Sequence, residues 1–388
     1  MKRKSDIVVI LIFIIVILMF YTVFLIGQKE ISEEENRLLA KLEIFQMKDF
    51  IHSKFQTNLE NAISDQILFS SQIKTNILSV RKEMIGLMDR IILGIRNNKD
   101  GRYYVAVGED TYTMNQDDYL LNKTGKYIYN EKAVEYFNQI EGAQKYLYFI
   151  ESDCSQIYND GIKENWIYED IIKKIEVENA DKLDVDTYEK YKEYFYKTDH
   201  HWKYKGSYQG YRDIIDLLGV QDKKVQVVEE KVYDTYFLGS KARDAAEYDT
   251  KEKFTVYQYN NEKPKTTYIN GELKPYGDVE GYDNGKYESE LLTNHYANYY
   301  GTDYAEVIYD YDKPEKENLL IISNSYSNAI NEIIASHFNK TYIVDLRLYE
   351  EFNPNEYIKQ NKIDKVLILG DIRLFGDTYF KKIDLNQF

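Results

Sequence analysis

The sequence predicts an α/β fold with a mostly parallel sheet that helices cover on both faces, and the pattern of its apolar runs supports this. Residues 319–322, 341–345 and 365–369 are short and almost continuously apolar, as is typical of strands buried on both faces. Tyr146–Ile150 has the same character. Helix-like stretches separate these runs, and alternation of strands with helices is the pattern of parallel sheets.

Composition narrows the class of function. The chain has 388 residues, with 50 Lys and Arg against 65 Asp and Glu, and a formal net charge of −15. That acidity argues against a nucleic-acid partner, which would need a cationic face. The single cysteine, Cys154, excludes an intramolecular disulfide framework and a Cys-rich metal site. We interpret the 39 tyrosines as compositional bias rather than as a binding code.

The amino terminus predicts the compartment. Lys2, Arg3 and Lys4 precede an uncharged, apolar run from Ile7 to Gly27, which is long enough to cross a bilayer as a helix. The basic flank favours a cytoplasmic amino terminus, so the rest of the chain is expected outside the cell. A cleaved signal peptide is the alternative, but the run is long and no small-residue cleavage site follows it. Residues 1–27 are therefore predicted to be a basic tip and a single-pass anchor.

Two further regions follow the predicted anchor. Residues 28–96 carry apolar positions at intervals of three and four, which predicts a helical stem that packs on the main domain or docks a partner at the membrane surface. The turn-forming segment 97–102 begins the main domain, 97–388. Within that domain, 225–300 holds short runs rich in Tyr, Thr and Val between turns, which predicts a small antiparallel β-rich insertion.

Ser325 is the first candidate for chemistry. It follows the 319–322 strand by three residues and begins a predicted amphipathic helix. A serine at such a turn lies at the carboxyl edge of the sheet, where open α/β folds bind ligands, and the helix N–H groups can stabilise an oxyanion. The alternative is that Ser323, Asn324 or Ser325 only caps the helix.

The segment Thr198-Asp199-His200-His201-Trp202 is the second candidate. A hydroxyl nucleophile needs a neutral imidazole as base and a carboxylate to orient it. In extended backbone, Asp199 and His201 point the same way and His200 points away. Packing, or a metal pair, is the alternative for two adjacent histidines. The other histidines, His52, His295 and His337, form no ligand-spaced motif, so no metal site is predicted. Together with Ser325, Asp199 and His201 supply the set that acyl transfer requires.

At these residues the sequence resembles a known family. YFYKTDHHWKYKGSYQGY is similar to the signature of the DHHW protein family. That family resembles the alginate O-acetyltransferase proteins of the AlgJ/AlgX type, whose domain is an SGNH-hydrolase-like three-layer α/β/α fold. The resemblance extends over most of the chain, including the basic start with its anchor, EEENRLLAKL just beyond it, and LLIISNSYSN followed by IVDLRLY.

The resemblance implies roles for individual residues. Asp199, His201 and Ser325 match the family's catalytic triad. Arg347 matches an arginine that would hold substrate or an anion, although a structural pair with Asp345 is an equal alternative. A departure lies beside the nucleophile, because this chain reads Ser323-Asn324-Ser325 where relatives read Gly-Asp-Ser. The residues expected on the substrate side are Asn324, Trp202, Asn328 and Arg347.

The function that the resemblance implies is a membrane-anchored, extracellular O-acetyltransferase acting on a cell-envelope or exported polysaccharide. It would use no cofactor, and a multi-spanning membrane O-acyltransferase would supply the acetyl groups. A deacetylase or esterase with the same triad is one alternative, and a non-catalytic polysaccharide-binding envelope protein is another. The candidates for an aromatic groove are Trp166, Trp202, His295 and Tyr296, but packing in the core is the favoured interpretation for any one of them.

Overall fold

The computed structural model describes most of the chain beyond residue 117 and short segments before it. The described residues are 31–32, 37–38, 62, 80, 103–107, 110–114, 117–122, 129–151, 153, 166–245, 250–274, 294–349 and 351–376. The chain divides into two compact units, one comprising residues 1–99 and 242–248 and the other comprising 100–241 and 249–388. In the first unit, Ile31–Ser32 pairs antiparallel with Arg37–Leu38. The second unit contains the sheet and the candidate site.

The strands of the second unit, in chain order, are β1 (Tyr103–Val107), β2 (Asp110–Met114), β3 (Leu120–Asn122), β4 (Gln144–Phe149), β5 (Asn179–Lys182), β6 (Val227–Tyr236), β7 (Lys253–Tyr259), β8 (Thr266–Ile269), β9 (Glu272–Lys274), β10 (Glu306–Asp310), β11 (Leu319–Ser323), β12 (Lys340–Val344) and β13 (Lys365–Gly370). The helices are α1 (Glu131–Asn138), α2 (Trp166–Ile172), α3 (Tyr188–Tyr194), α4 (Tyr204–Leu217), α5 (Ser240–Ala245), α6 (His295–Tyr300), α7 (Asn331–Ala335) and α8 (Pro354–Asn361). Two short 3-10 helices span Ser325–Ala329 and Ile372–Phe375.

The main sheet has eight strands among the described residues, in the order β9-β8-β10-β12-β11-β13-β4-β5. The five strands from β12 to β5 are mutually parallel. The strands β10, β8 and β9 extend the other side by antiparallel pairing. From β11 the chain crosses to β12, and it then returns to β13 on the other side of β11. This reversal leaves a crevice at the carboxyl ends of β11 and β13, the usual place for a ligand in an open α/β sheet.

Two apolar cores lie on opposite faces of this sheet, because alternate strand residues point to opposite sides. On one face Leu319 and Ile321 of β11 pack with residues of α4 and α7. On the other face Leu320 and Ile322 pack with residues of α1, α2 and α8. The predicted fold, a mostly parallel sheet between two helical layers, is confirmed. Every residue of β11 and β13 is buried, as their continuous apolar runs predicted.

The β-rich region 225–300 differs in part from the prediction. The strands β6 and β7 form an antiparallel hairpin of their own, as expected of an insertion. The strands β8 and β9, however, join the main sheet through β10, so they are part of the core architecture. The predicted strand at Tyr103–Val107 pairs with β2, which pairs in turn with β3, in a separate three-stranded antiparallel sheet.

The described part of the chain contains no helix that is both long and apolar enough to cross a bilayer. The predicted anchor, 7–27, and nearly all of the predicted stem, 28–96, lie outside the described residues.

Candidate active site

Ser325 lies two residues beyond β11, at the carboxyl edge of the sheet, and begins a 3-10 helix. Asn324 caps that helix, and its side-chain oxygen accepts a hydrogen bond from the Tyr326 N–H. The predicted continuous helix is therefore interrupted, since the 3-10 turn ends at Ala329 and α7 begins at Asn331. Ser325 itself is half-buried, while Tyr326 and Ser327 beside it are buried. A half-buried hydroxyl at this edge can still meet a ligand.

Asp199 and His201 lie in a loop between α3 and α4. An antiparallel bridge between Phe195 and Trp202 closes the base of this loop. The backbone between them is bent rather than extended, and the Asp199 carboxylate accepts a 2.8 Å hydrogen bond from the His201 N–H. The expected i and i+2 relationship therefore holds for Asp199 and His201, but it arises from a bend and not from an extended segment.

These three side chains form a continuous relay. Asp199 Oδ1 lies 2.5 Å from His201 Nδ1, and His201 Nε2 lies 2.7 Å from Ser325 Oγ. The Asp199 carboxylate can only accept a hydrogen bond, so His201 Nδ1 must donate it. We therefore assign the ring proton of neutral His201 to Nδ1. The Nε2 lone pair then faces the Ser325 hydroxyl, which is the arrangement of a general base and its nucleophile.

The carboxylate of Asp199 is held ionised. Burial by itself raises its pKa, but attraction to the His201 and His200 imidazoles in their protonated forms and the hydrogen bonds from His201 outweigh burial and hold the pKa well below its usual range. Its second oxygen accepts a 2.7 Å hydrogen bond from the Ser240 N–H. A Cβ on Gly239 would lie 2.3 Å from the Asp199 Cβ, so only glycine fits there. Gly239 and Ser240, in the loop after β6, thus hold the Asp199 carboxylate in position through close packing and a hydrogen bond.

His200 does not point away from the site as predicted. Its ring centroid lies 3.9 Å from that of His201, because the bend brings adjacent side chains together. Its Nδ1 lies 2.7 Å from Ser240 Oγ. Burial holds the pKa of His200 well below its usual range, and repulsion from the Arg373 guanidinium, and from His201 when it is protonated, adds to this effect. His200 is accordingly a neutral neighbour of the relay.

Aromatic rings enclose the His201 imidazole. Tyr296 lies nearly parallel to it, with centroids 3.9 Å apart and planes 11° apart, and Tyr326 lies at 5.3 Å. Trp202 is fully buried and meets Tyr326 edge to face at 5.7 Å. Gly210 of α4 leaves room for the Trp202 ring, since a Cβ there would lie 2.6 Å from it. Trp202, expected on the substrate side, is therefore part of the core that supports the relay.

The turn that carries Ser325 is held to the end of β13. Asn324 Nδ2 donates a 3.2 Å hydrogen bond to Asp371, which also accepts a 2.8 Å bond from Arg373 Nε. Arg373 reaches on to the Tyr326 hydroxyl, and that hydroxyl donates to the His200 carbonyl. Asn324, expected on the substrate side, thus works as a helix cap and a link to Asp371.

Arg347 forms the structural pair that was the alternative to substrate binding. Its Nε lies 3.0 Å and 3.1 Å from the two oxygens of Asp345, and its Nη2 lies 2.7 Å from Asp303. Asp303 also accepts a 3.1 Å hydrogen bond from Asn328 Nδ2. Arg347 therefore braces the loop that Asn328 contacts. Asn328 itself is half-buried and lies on the same 3-10 helix as Ser325.

Two candidates for the aromatic groove, His295 and Trp166, remain. His295 is fully buried and lies 5.6 Å from the Phe254 ring, so it does not line a groove. The side chain of Trp166 lies outside the described residues.

Ligand atoms of Asp199, His200 and His201 come within 4.8 Å of one another. A metal ion bound to them would have to displace hydrogen bonds of the relay.

Sequence reasoning missed several residues that position the relay. Gly239, Ser240, Asp371 and Arg373 are distant in sequence from the motif, and none stands in a recognisable pattern. Tyr296 is a candidate for groove lining or for core packing, and neither interpretation predicts that its ring packs on His201. The one usable signal was the Gly-Ser pair that follows β6, which indicates a tight turn without indicating its neighbour.

Comparison with known proteins shows where this fold recurs. No protein-family model and no curated protein matches the sequence. Among solved structures, a DHHW family protein from Eubacterium siraeum DSM 15702 matches with a TM-score of 0.55 at 17% identity, over 73% of this chain and 94% of that chain. Bacillus cereus PatB1, solved with a sulfonyl adduct, matches with a TM-score of 0.55 at 21% identity, over 71% of this chain and 99% of that chain.

Pseudomonas aeruginosa AlgX matches more weakly, with a TM-score of 0.39 at 12% identity, over 70% of this chain and 64% of that chain. The resemblance predicted from the TDHHW segment is confirmed at the level of the fold: this chain shares the α/β architecture of a DHHW family protein and of PatB1.

Proposed function

We propose that this protein is an O-acetyltransferase that uses Ser325, His201 and Asp199 to transfer acetyl groups onto a cell-envelope or exported polysaccharide. The observation that carries the proposal is the unbroken relay of 2.5 Å and 2.7 Å from the Asp199 carboxylate through His201 to the Ser325 hydroxyl. The fold shared with PatB1, which was solved with a sulfonyl adduct, supports it further, because sulfonyl electrophiles trap activated nucleophiles.

The first half-reaction forms an acetyl-enzyme. Ser325 Oγ attacks the carbonyl carbon of an acetyl ester or thioester while its proton passes to His201 Nε2. In this proposal the Ser325 N–H, at the amino end of the 3-10 helix, donates to the resulting oxyanion. When the tetrahedral intermediate collapses, the donor's alcohol or thiol leaves with the proton from His201. Asp199 stabilises the transient imidazolium and remains ionised.

The second half-reaction transfers the acetyl group. A sugar hydroxyl attacks the acetyl-Ser325 carbonyl and gives its proton to His201 Nε2. Collapse releases the acetylated sugar, and His201 returns the proton to Ser325 Oγ. Water in place of the sugar hydroxyl gives acetate instead, so the same relay serves an esterase, and access of water to the acetyl-enzyme decides between them.

The proposed setting follows from the amino terminus. The apolar run 7–27 after Lys2, Arg3 and Lys4 anchors the chain in a membrane, with the main domain outside the cell. Acetyl-CoA is a cytoplasmic donor, so a multi-spanning membrane O-acyltransferase would deliver acetyl groups to the outer face. This partner rests on the family resemblance.

The test of the relay uses the full-length chain with p-nitrophenyl acetate as the donor. Ser325→Ala should lower the rate of p-nitrophenol release at least about 10³-fold, because loss of the nucleophile removes covalent catalysis. Asp199→Asn should lower it about 10³- to 10⁴-fold, because it permits the wrong imidazole tautomer. Phenylmethylsulfonyl fluoride should label Ser325, as read by peptide mass spectrometry.

Ser327→Ala is the matched control, since Ser327 lies on the same 3-10 helix but its hydroxyl bonds to Ser323. It should retain the wild-type rate. Ester cleavage that Ser325→Ala leaves intact would remove the catalytic proposal and leave a binding protein. Transferase and esterase are separated by adding cellotetraose or chitotetraose: acetylated sugar supports transfer, while acetate release that the sugars leave unchanged favours the esterase. The cellular counterpart is polysaccharide acetyl content, which Ser325→Ala should reduce.

A further inference from the structure

A second concavity lies beside the relay. It is a cavity of about 380 Å³ between the β6–β7 hairpin, α6 and the helical turn that begins at Ser325. Its size falls in the range of small-molecule sites, about 300–1,000 Å³. All of its lining residues belong to the unit that contains the active site.

Tyrosine rings dominate the walls of this cavity. Tyr257 and Tyr259 come from β7, and Tyr299 and Tyr300 come from α6. Each ring is held by another ring; Tyr257 meets Tyr204 edge to face at 4.6 Å, for example. Rings fixed in this way offer flat contact area with little loss of side-chain freedom on binding.

The polar groups of the cavity are suited to a hydroxyl-rich ligand. Within the described residues, Gln258 and the hydroxyls of Tyr257, Tyr259 and Tyr300 make no side-chain hydrogen bond. An apolar ligand would leave such groups unpaired, at a cost of about 1–3 kcal/mol for each buried group.

Charge in the cavity is nearly balanced. Lys263 pairs with Glu332 at 2.7 Å, and Lys231 lies 4.7 Å from the centre of the Tyr233 ring. These two lysines and one glutamate do not form a concentrated anion site. The balance favours a ligand that is neutral or weakly acidic over a phosphate or a strongly charged peptide.

The cavity is connected to the relay by two elements. Asn328 lines the cavity and lies three residues after Ser325 on the 3-10 helix, where side chains three apart eclipse one another at a rise of about 6 Å. On α6, the cavity residue Tyr300 lies 4.9 Å from Tyr296, which stacks on His201. The cavity is therefore linked to Ser325 through the turn that carries Asn328, and to His201 through Tyr300 and Tyr296.

We propose that this cavity is the acceptor subsite, and that it binds pyranose units of the polysaccharide by stacking them on its tyrosine rings while one sugar hydroxyl reaches Ser325. The catalytic role that this inference gives to the cavity rests on the proposed function. The class of ligand follows from the lining: the C–H face of a pyranose packs against an aromatic face, and its hydroxyls bond to the surrounding amide and phenol groups.

The experiment separates binding from chemistry. Binding of cellotetraose, chitotetraose and tetragalacturonate to the full-length chain is measured by titration calorimetry with no acetyl donor present. Tyr257→Ala should weaken binding of the preferred probe about three- to tenfold, the loss expected for one aromatic contact. Val228→Trp, at an exposed position on the cavity wall, should block binding without disturbing the core. Tyr257→Phe should bind like wild type if the ring face is the main contact.

Tyr236→Ala is the matched control, because Tyr236 is a half-buried tyrosine of the same hairpin that does not line the cavity. It should leave binding unchanged. The thermal unfolding midpoint of all four variants should stay near that of wild type, which shows that they fold. A wild-type chain that binds none of the three sugars, or binding that Tyr257→Ala and Val228→Trp both leave intact, overturns the subsite. Retained ester cleavage in Ser325→Ala overturns the relay alone.

Discussion

The imidazole of His201 lies flat against the phenol ring of Tyr296, with their centroids 3.9 Å apart and their planes only 11° apart. Tyr296 is buried, and its hydroxyl lies 3.4 Å from the Ser325 carbonyl, so one side chain contacts both the His201 ring and the Ser325 backbone. Asp199 fixes the imidazole at its edge, and Tyr296 supports it on its face. The position of Nε2 relative to Ser325 is therefore set by packing as well as by hydrogen bonding.

Replacement of Tyr296 tests this support. Tyr296→Leu removes the flat ring surface and should lower kcat for p-nitrophenyl acetate about three- to tenfold, the worth of one aromatic contact. Tyr296→Phe keeps the ring and should stay within about twofold of wild type, since the 3.4 Å hydroxyl contact is long. Equal losses in both variants would assign the effect to the hydroxyl and contradict support by the ring.

The neutral state of His200 predicts a dependence of stability on pH. Its folded-state pKa lies below the ordinary value of 6.5, so the unfolded chain binds more protons below that pH. The free energy of unfolding should then fall as the pH drops through 6.5, by at most about 1.4 kcal/mol per pH unit from this group. Burial, His201, Arg373 and Lys241 disfavour the proton on His200, whereas Asp199 favours it.

The measurement is the urea midpoint of wild type and of His200→Gln at about pH 7.5 and about pH 5.5, on either side of the ordinary imidazole pKa. His200→Gln loses the contact with Ser240, so it should be less stable at both values. The urea midpoint of His200→Gln should nevertheless decrease less between the higher and the lower pH than the midpoint of wild type does. An identical decrease in the two proteins would show that His200 titrates normally.

Gly239 should tolerate no larger residue. A Cβ there would lie 2.5 Å from Asp199 Oδ2 and 2.6 Å from the Thr198 carbonyl oxygen. Gly239→Ala should therefore cost about 1–3 kcal/mol of stability and lower kcat for p-nitrophenyl acetate, because Asp199 must move. Ser240→Ala is the control, since it keeps the N–H that bonds to Asp199 and loses only the hydroxyl near His200. Equal activity in the two variants would contradict close packing behind Asp199.

Arg347 is expected to stabilise the fold rather than to hold substrate. Asp345 is buried, which raises its pKa, and Arg347 opposes this by pairing with it. Arg347→Met should lower the free energy of unfolding by about 1–3 kcal/mol, because it leaves a buried carboxylate without its guanidinium partner. KM for p-nitrophenyl acetate should stay within about twofold of wild type, as should KM in the Asp345→Asn control. A large rise in KM with unchanged stability would instead favour contact between Arg347 and substrate.

Local patterns predicted the sheet and the members of the relay, but not what holds the relay together. The strands β11, β12 and β13 are buried on both faces. Such strands consist almost entirely of apolar residues, so they can be recognised from the sequence. The short strand β5 alternates between half-buried and exposed positions, and it carried no such signal. His200 was predicted to point away because extended backbone was assumed. The bend that overturned this depends on the Phe195–Trp202 bridge and on Gly239, which no local pattern reveals.

By itself, the sequence determined which residue types were available: a serine after a buried strand, an Asp-x-His elsewhere, and an excess of acidic over basic residues. These depend on neighbours in the chain and on overall charge. Only the tertiary structure decided that Ser325 and His201, 124 residues apart, meet at 2.7 Å, that Arg347 pairs with carboxylates, and that the turn carrying Ser325 also borders a tyrosine-lined cavity. Contacts between distant segments come from the order of strands and the packing of side chains, which adjacent residues do not encode.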